Sequence, residues 1–435
     1  MENALIIFPV NQYPIKEYLI PLIKKMKITC IVIYLHPHYF KKMKFHKLKI
    51  AYLLSSIQNY IKELKEFVKI KITQINYNDN FSAKNNQFYY ILNPIDLPVI
   101  KHTTSQIKTT NFKIITDTPH FLIPDLELNN INYFRHSAFY EFSKRFIKSK
   151  YGIDFTSITN QDKYNRKRIP KNELIKIKDM TFKTDNTLIK KQVINFVNKH
   201  FKNNFGNCEN LEYLPISRKD ALSHLDTFLK TNIHKFGDYQ DFISKEHFKL
   251  YHSMLSPAIN IGILTPLDII KKLNKLKNNI SLNSYEGFLR QIIGWREYMH
   301  FIYYKNCKLV SSSNSWNNKK SIPKNWIKLF SKEEILKYEI EKIRNWGWSH
   351  HIIRLMVFLN YFILNGYSPN SIYVWFMENI ALDAYTWVMI PNIYSMGYFN
   401  KNYTSKPYIS SSNYLKNMSN YKISDNWTKL YHSKK

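Results

Sequence analysis

The chain has 435 residues, 44% of them hydrophobic and 16% aromatic, which excludes a disordered protein and leaves room for two or three domains. Lys and Arg number 64 against 32 Asp and Glu, a net charge of +32 that points to a polyanionic partner, nucleic acid being the commonest. The bland source of the same excess is an AT-rich genome, which also favours the abundant Lys, Asn, Ile and Tyr. No window reaches the ~18 uninterrupted apolar residues of a membrane span. Met1-Glu2-Asn3 is no basic leader either, so a soluble intracellular protein is expected, most simply a monomer. Cys30, Cys208 and Cys307 are far apart, form no CxxC, and fit a reducing compartment. Seven of the nine glycines fall between Gly237 and Gly397, which puts close backbone approach to a ligand in the carboxyl-terminal half.

In chain order, Ala4–Phe8 and Ile28–Tyr34 read as buried parallel strands around a helix at Ile15–Met26. Phe45–Phe67 has helical spacing at Leu48, Tyr52, Leu53, Ile57, Tyr60, Ile61 and Leu64. Weaker strands follow at Val68–Ile72, Tyr89–Leu92 and Phe112–Thr116. The alternation predicts a Rossmann-like, doubly wound α/β domain over 1–125. It carries no GxGxxG and no GxxxxGK[ST], so no dinucleotide or P-loop site is read there. Residues 126–215 form a connector, with a helix at Phe134–Lys150 and a polar stretch at Thr156–Thr187.

Residues 216–435 read as helical: Asp220–Thr231, Glu246–Leu255, Thr265–Leu276, Ser284–Tyr304, Lys332–Asn345, Ser349–Leu364 and Ser371–Glu378. The tail from Asn400 is polar, Tyr-rich and without clear periodicity. Within this half FGDYQD, then His252-Ser253-Met254-Leu255-Ser256-Pro257 and Asn260, place hydroxyls and a glycine at helix ends. That suits an anionic diphosphate, or ordinary capping. Arg290 stands four residues from Glu286 and from Gly294, a helical ion pair or an arginine for a phosphate, with Gln291 and Trp295 facing a flat ring. His350 and His351 are adjacent and point about 100° apart on a helix, so they cannot chelate one metal. One packs and the other faces a cavity as a proton donor, in a stretch from Trp346 to Asn392 whose aromatics are core on composition alone.

Taken in order, FGDYQD, HSMLSPAINIGILTP, EGFLRQIIGWREY, WSHHIIRLMVFLN and DAYTWVMIPN resemble the photolyase/cryptochrome superfamily and, more narrowly, the bacterial iron–sulfur (6-4) photolyase group of deoxyribodipyrimidine photolyase-related proteins. HPHYFKKMKFHKLKIAYLLSSI and DKYNRKRIPKN match the same group, so the likeness spans nearly the whole chain. The resemblance implies an α/β antenna domain, a linker and a larger all-helical FAD-binding domain. It also implies light-driven repair of UV-damaged DNA by electron transfer from reduced flavin, with (6-4) photoproducts preferred. Cyclobutane-dimer repair, or a cryptochrome-like photoreceptor without repair, are the alternatives.

By that resemblance Gly237, Tyr239, His252, Ser253, Ser256, Asn260, Arg290 and Arg354 belong to the FAD site, with Asp383 and Asn392 near its rings. His350, His351, Gln291 and Tyr408 take lesion-side roles, and Trp375, Trp326 and Tyr414 are stations of an electron relay. The chain departs from the group where cluster cysteines are expected. Met418-Ser419-Asn420-Tyr421 is followed by Lys422-Ile423-Ser424-Asp425, and no cysteine lies near Ile335, so no iron–sulfur cluster and no other metal is expected. Phe8-Pro9-Val10-Asn11-Gln12 replaces the usual Gly-Asp-Gln, so a lumazine or other second antenna chromophore is left open.

Overall fold

A computed structural model describes residues 2–107, 111–132, 135–179, 182–184, 187–404 and 406–433. Strands β1 (Glu2–Ile7), β2 (Cys30–Tyr34), β3 (Lys71–Ile75), β4 (Gln87–Leu92) and β5 (Phe112–Ile115) form one parallel sheet in the order β3-β2-β1-β4-β5. Ala4 pairs with Cys30 on one side and Tyr89 on the other, so β1 is central, and Ala4 to Ile7 are fully buried. That explains its unbroken apolar run: both faces are covered. The winding reverses about β1, which makes the carboxyl ends of β1, β2 and β4 a topological switch point.

The helix Lys47–Phe67 lies on the sheet through Leu48, Leu53, Ile57 and Leu64. The third strand begins three residues later than the sequence pattern suggests. Val68 still closes the preceding helix, its N–H donating to the Leu64 carbonyl, and pairing with β2 starts only at Lys71 opposite Cys30. In the connector His136–Tyr151 is helical and ends at left-handed Gly152 (φ 69°). Among its described residues the polar stretch contains a 3₁₀ turn, Asp162–Tyr164, and a short helix, Lys171–Leu174, and Leu188–His200 follows.

The carboxyl-terminal half is helical, with one correction to the expected elements. Residues 246–255 do not form a helix. Leu250 and Met254 have φ of 52° and 54°, and the Asp179 carboxylate accepts the N–H groups of Phe248, Lys249 and Leu250, which turns the chain away from helical bonding. The helix comes after this loop, at Ser256–Ile261. The tail is more ordered than its composition suggests: Ser412–Met418 and Asp425–His432 are helices, each capped by a serine, and Trp427 is fully buried. No helix of the described residues is long and apolar enough to cross a membrane.

Candidate active site

The loop between Asp179's grip and the Ser256–Ile261 helix delivers His252 into the interior, 6% exposed. Two non-glycine residues in left-handed backbone flank it, a strain that persists only where surroundings fix it. The helix ends at Gly262 (φ 89°), where a Cβ would approach the Tyr13 ring to 2.7 Å. Gln12 N–H donates to the Ile261 carbonyl at 2.8 Å, so the loop after β1 abuts the end of this helix.

His350 and His351 open the next wall. His350 is 1% exposed and stacks on His252, ring centroids 4.4 Å apart and planes 11° apart. His351 is partly exposed, as are Arg354 and Leu355 at +3 and +4, so one helical face looks toward an opening. Burial first, then the neighbouring imidazoles and cations, drive His252 and His350 well below the ordinary histidine pKa. His351 is held at about 3 by burial and by Arg354 and Arg290, so all three rings are neutral near pH 7.

Arg354 pairs with Asp383 at 3.1 Å. Burial raises the Asp383 pKa while Arg354, Ser256, Trp348 and Lys49 lower it again. Trp348 Nε1 donates to Ser256 Oγ at 3.3 Å, which ties the two walls together. Around this point His252 Nε2, His350 Nδ1, Ser349 Oγ, Arg354 Nε and Asp383 Oδ1 are buried with no hydrogen-bond partner among the described residues, and Asp383 Oδ2 meets Arg354 Nη1. Such atoms are costly unless something else meets them.

Three quoted motifs carry a π-helical turn: Arg290–Arg296, Ile353–Leu359 and Asn392–Met396. An extra residue per turn re-aims the side chains and is common at functional sites.

Arg290 is already satisfied by protein. It donates to Glu286 Oε1 at 3.1 Å and to Asp162 Oδ1 at 2.9 Å, and Glu286 is fully buried. Gly237 serves a helix crossing, since a Cβ there would lie 2.3 Å from Ser284 N. Gln291 reaches Gln240 at 3.4 Å, and Trp295 is stacked on His136 at 3.8 Å. Tyr239 stacks on Tyr251 at 5.7 Å. Asn260 Oδ1 accepts from Arg296 Nη1 at 2.6 Å, Ser253 Oγ accepts from Leu255 N–H at 3.4 Å, and the Asn392 amide bonds back to the Val388 carbonyl at 2.7 Å. The Tyr408 ring is exposed. Trp326 and Trp375 meet edge to face at 5.4 Å, whereas Tyr414 is partly buried beside Asp241 and Arg166.

Comparison with known proteins places this geometry. The sequence is 32% identical over 400 residues to a (6-4) photolyase of Agrobacterium fabrum, covering 86% of this chain and 78% of that one. The chain belongs to the photolyase/cryptochrome superfamily. Residues 22–213 match the family described as "Deoxyribodipyrimidine photo-lyase-related protein". The fold is similar to an archaeal photolyase of Sulfolobus tokodaii solved with two FAD molecules, with TM-score 0.60 and 12% identity over 94% of this chain and 85% of that one. It is also similar to a cryptochrome of Synechocystis sp. PCC6803, with TM-score 0.59 and 12% identity over 100% and 99% of the two chains. The parallel sheet followed by the helical half is the photolyase fold.

Four residues close to this candidate site are not singled out by the motifs alone. Arg296, partly exposed, sits between the rings of Phe121 and Trp387, 4.9 and 4.8 Å from their centroids. Lys49, Asp96 and His38 approach from the sheet layer. A lysine on the apolar stripe of a helix was the available signal for Lys49: it shares a face with Leu53 and Ser56, and is 1% exposed. Where the family resemblance leads one to expect thiolates, Ile335 is core and the tail is held by carboxylates instead. Ser424 Oγ donates to Glu333 at 2.7 Å and Tyr421 OH to Glu339 at 2.7 Å.

Proposed function

We propose that this chain is a flavin-dependent DNA photolyase that repairs pyrimidine lesions in UV-damaged DNA, with (6-4) photoproducts preferred. The observation that carries the reading is the cluster of buried polar atoms left open by His252, Ser349, His350, Arg354 and Asp383. A planar cofactor with donors and acceptors on one edge answers them, and FAD fits that donor set. Ser253, Ser256 and Asn260 would hold its polar chain, and Arg354 with Asp383 would meet the ring edge. When bound and reduced, FAD supplies a photoexcited electron to the lesion.

The residues of the chain do the rest. The half-exposed face of His351, Arg354 and Leu355 lies at the opening through which a flipped lesion enters. The free His351 ring is neutral; negative charge on the bound lesion would favour its imidazolium form, which gives its proton to the lesion and returns to the neutral imidazole. His350, packed on His252, fixes the neighbouring backbone. The +32 charge supplies phosphate contacts and hence salt-sensitive affinity. The name of the Agrobacterium fabrum relative and the His350–His351 pair favour the (6-4) lesion over the cyclobutane dimer.

The test is to purify the protein, record its flavin spectrum, and illuminate it with oligonucleotides carrying each lesion. Light-dependent loss of the (6-4) product is expected. A protein that binds no FAD refutes the proposal, repair of cyclobutane dimers alone reassigns the lesion, and flavin without repair of either indicates a photoreceptor.

A further inference from the structure

The segment that carries Asp383 rests on the sheet layer as well as on the helices. Ala381–Asp383 is a single 3₁₀ turn, and the next four residues engage the loops beyond β2 and β4, at the switch point where open parallel sheets ordinarily take a ligand. Asp96, beyond β4 and fully buried, accepts the Trp387 N–H through Oδ1 at 2.8 Å. His38, beyond β2, meets Thr386 Oγ1 at 3.1 Å and stands 3.9 Å from Asp96 Oδ2. Lys49 donates its ammonium to the Ala384 carbonyl, next in sequence to Asp383, and lies 4.3 Å from the Tyr385 ring centroid and 4.6 Å from that of Phe45.

An ammonium with so little exposure is not snorkelling to water, and its burial is costly unless anions offset it. The anionic groups whose fields reach it are Asp96 and Asp383. Asp383 in turn is faced by Arg354 from the helical side and Lys49 from the sheet side, with Ser256 and Trp348 beside it. Asp96 is faced by Lys49, Tyr39 and His38.

We infer that Lys49 is a positioning residue of the cofactor site, fixing the place of Asp383 through the Ala384 carbonyl and its ionisation through charge. The inference rests on the assignment of Asp383 to the flavin site, and it makes the sheet layer part of that site. Burial draws Lys49 down to about 7 and pushes Asp96 up to about 7, so the charge of each depends on the other.

The experiment uses the full-length protein and the variants K49M, K49R, K49Q, D383N and K49M/D383N. Its readouts are the flavin release rate and amide exchange over 383–387. K49M is expected to release flavin about ten-fold faster or more, the usual cost of losing an outer partner of a ligand-binding group. K49R should restore retention, and the double variant should release flavin no faster than D383N, because the two act as one unit. Wild-type release from K49M, or effects of K49M and D383N that simply multiply, overturns the inference. K49Q, which can still donate to the carbonyl without charge, substitutes if K49M does not fold; wild-type release from it removes the role of charge. A wild-type protein that binds no flavin defeats the photolyase reading instead. Exchange then decides this inference: faster exchange confined to 383–387 in K49M or K49Q supports it, and unchanged exchange overturns it.

Discussion

The imidazole of His350 lies flat against that of His252, 4.4 Å between centroids, and both rings are held neutral by burial first, then His252 by His351 and His350 by His252 and His351. They are not alone. His351 is held at about 3, and His38 and His46 at about 4, chiefly by burial. Between pH 6.5 and those values the unfolded chain binds protons that the folded chain refuses, so stability falls as pH falls. Each such histidine contributes up to about 1.4 kcal/mol per pH unit across its window. Asp96 and Glu297, raised to about 7 by burial, act in the opposite sense, their contribution being lost as pH rises from about 4 towards 7. Histidines outnumber them, so Tm is expected to drop between pH 6.5 and 4.5. Thermal unfolding at half-unit steps checks this, and a flat profile contradicts it.

His351→Ala separates chemistry from binding. Its side chain is partly exposed and meets His252 and His350 only edge to face, so the variant should fold and retain flavin while (6-4) repair falls by about 10²–10⁴, the range for a lost general acid. His350→Ala should instead loosen flavin, since it removes one face of the His252 stack. Equal repair by His351→Ala and wild type would exclude the proton-donor role.

Arg290→Ala should unfold the protein more readily and leave repair chemistry per folded molecule intact. It strands fully buried Glu286, which also accepts Gln161 N–H at 3.1 Å, and breaking such a pair costs about 3–5 kcal/mol. Replacing Glu286 by Gln in the same chain should recover part of the loss, measured by urea denaturation.

How much of this was legible in the sequence depends on whether a residue's partners are local. Strands β1 and β2 announce themselves because both faces are apolar. The Glu286–Arg290 pair is visible as an i,i+4 spacing, yet its third partner, Asp162, lies 128 residues away. That distant carboxylate supplies the arginine's second acidic partner among the described residues. The loop at 246–255 misleads for the same reason: Asp179 captures its amides from 69 or more residues away, overriding a helical pattern. Gly237 reads as a ligand glycine, and sequence does not show the packing demand that Ser284, crossing over it, also places there. Lys49 and Asp96 gain meaning only when 384–387 folds onto the sheet.

The tail offers a fourth test. Glu333 and Glu339 receive Ser424, Asn426 and Tyr421, and Trp427 is buried with its Nε1 donating to the Ser410 carbonyl at 3.0 Å. Trp427→Ala should cost about 3–5 kcal/mol. Unfolding midpoints should be insensitive to chelator, and an iron assay should find none. Stoichiometric iron in the purified protein would overturn that expectation.

Trp375 is enclosed by Phe330, Phe358, Phe362 and Phe376, with ring centroids 4.8–5.9 Å away, and its Nε1 has no partner among the described residues. Packing alone would be served as well by phenylalanine, which has no orphan donor. Trp326 touches it and is only partly buried, so the pair leads from core toward surface. As a relay to oxidised flavin this arrangement predicts that Trp375→Phe slows photoreduction by external thiol at least several-fold. Its cost in stability should be only about 1–2 kcal/mol, the volume change being smaller than truncation to alanine. Trp326→Phe should slow photoreduction too, with little effect on Tm, while Tyr414→Phe should leave it unchanged because that ring lies beside Asp241 instead. Illumination under anaerobic conditions, followed at the flavin absorption band, measures all three. Photoreduction at the wild-type rate in Trp375→Phe would return this tryptophan to the core.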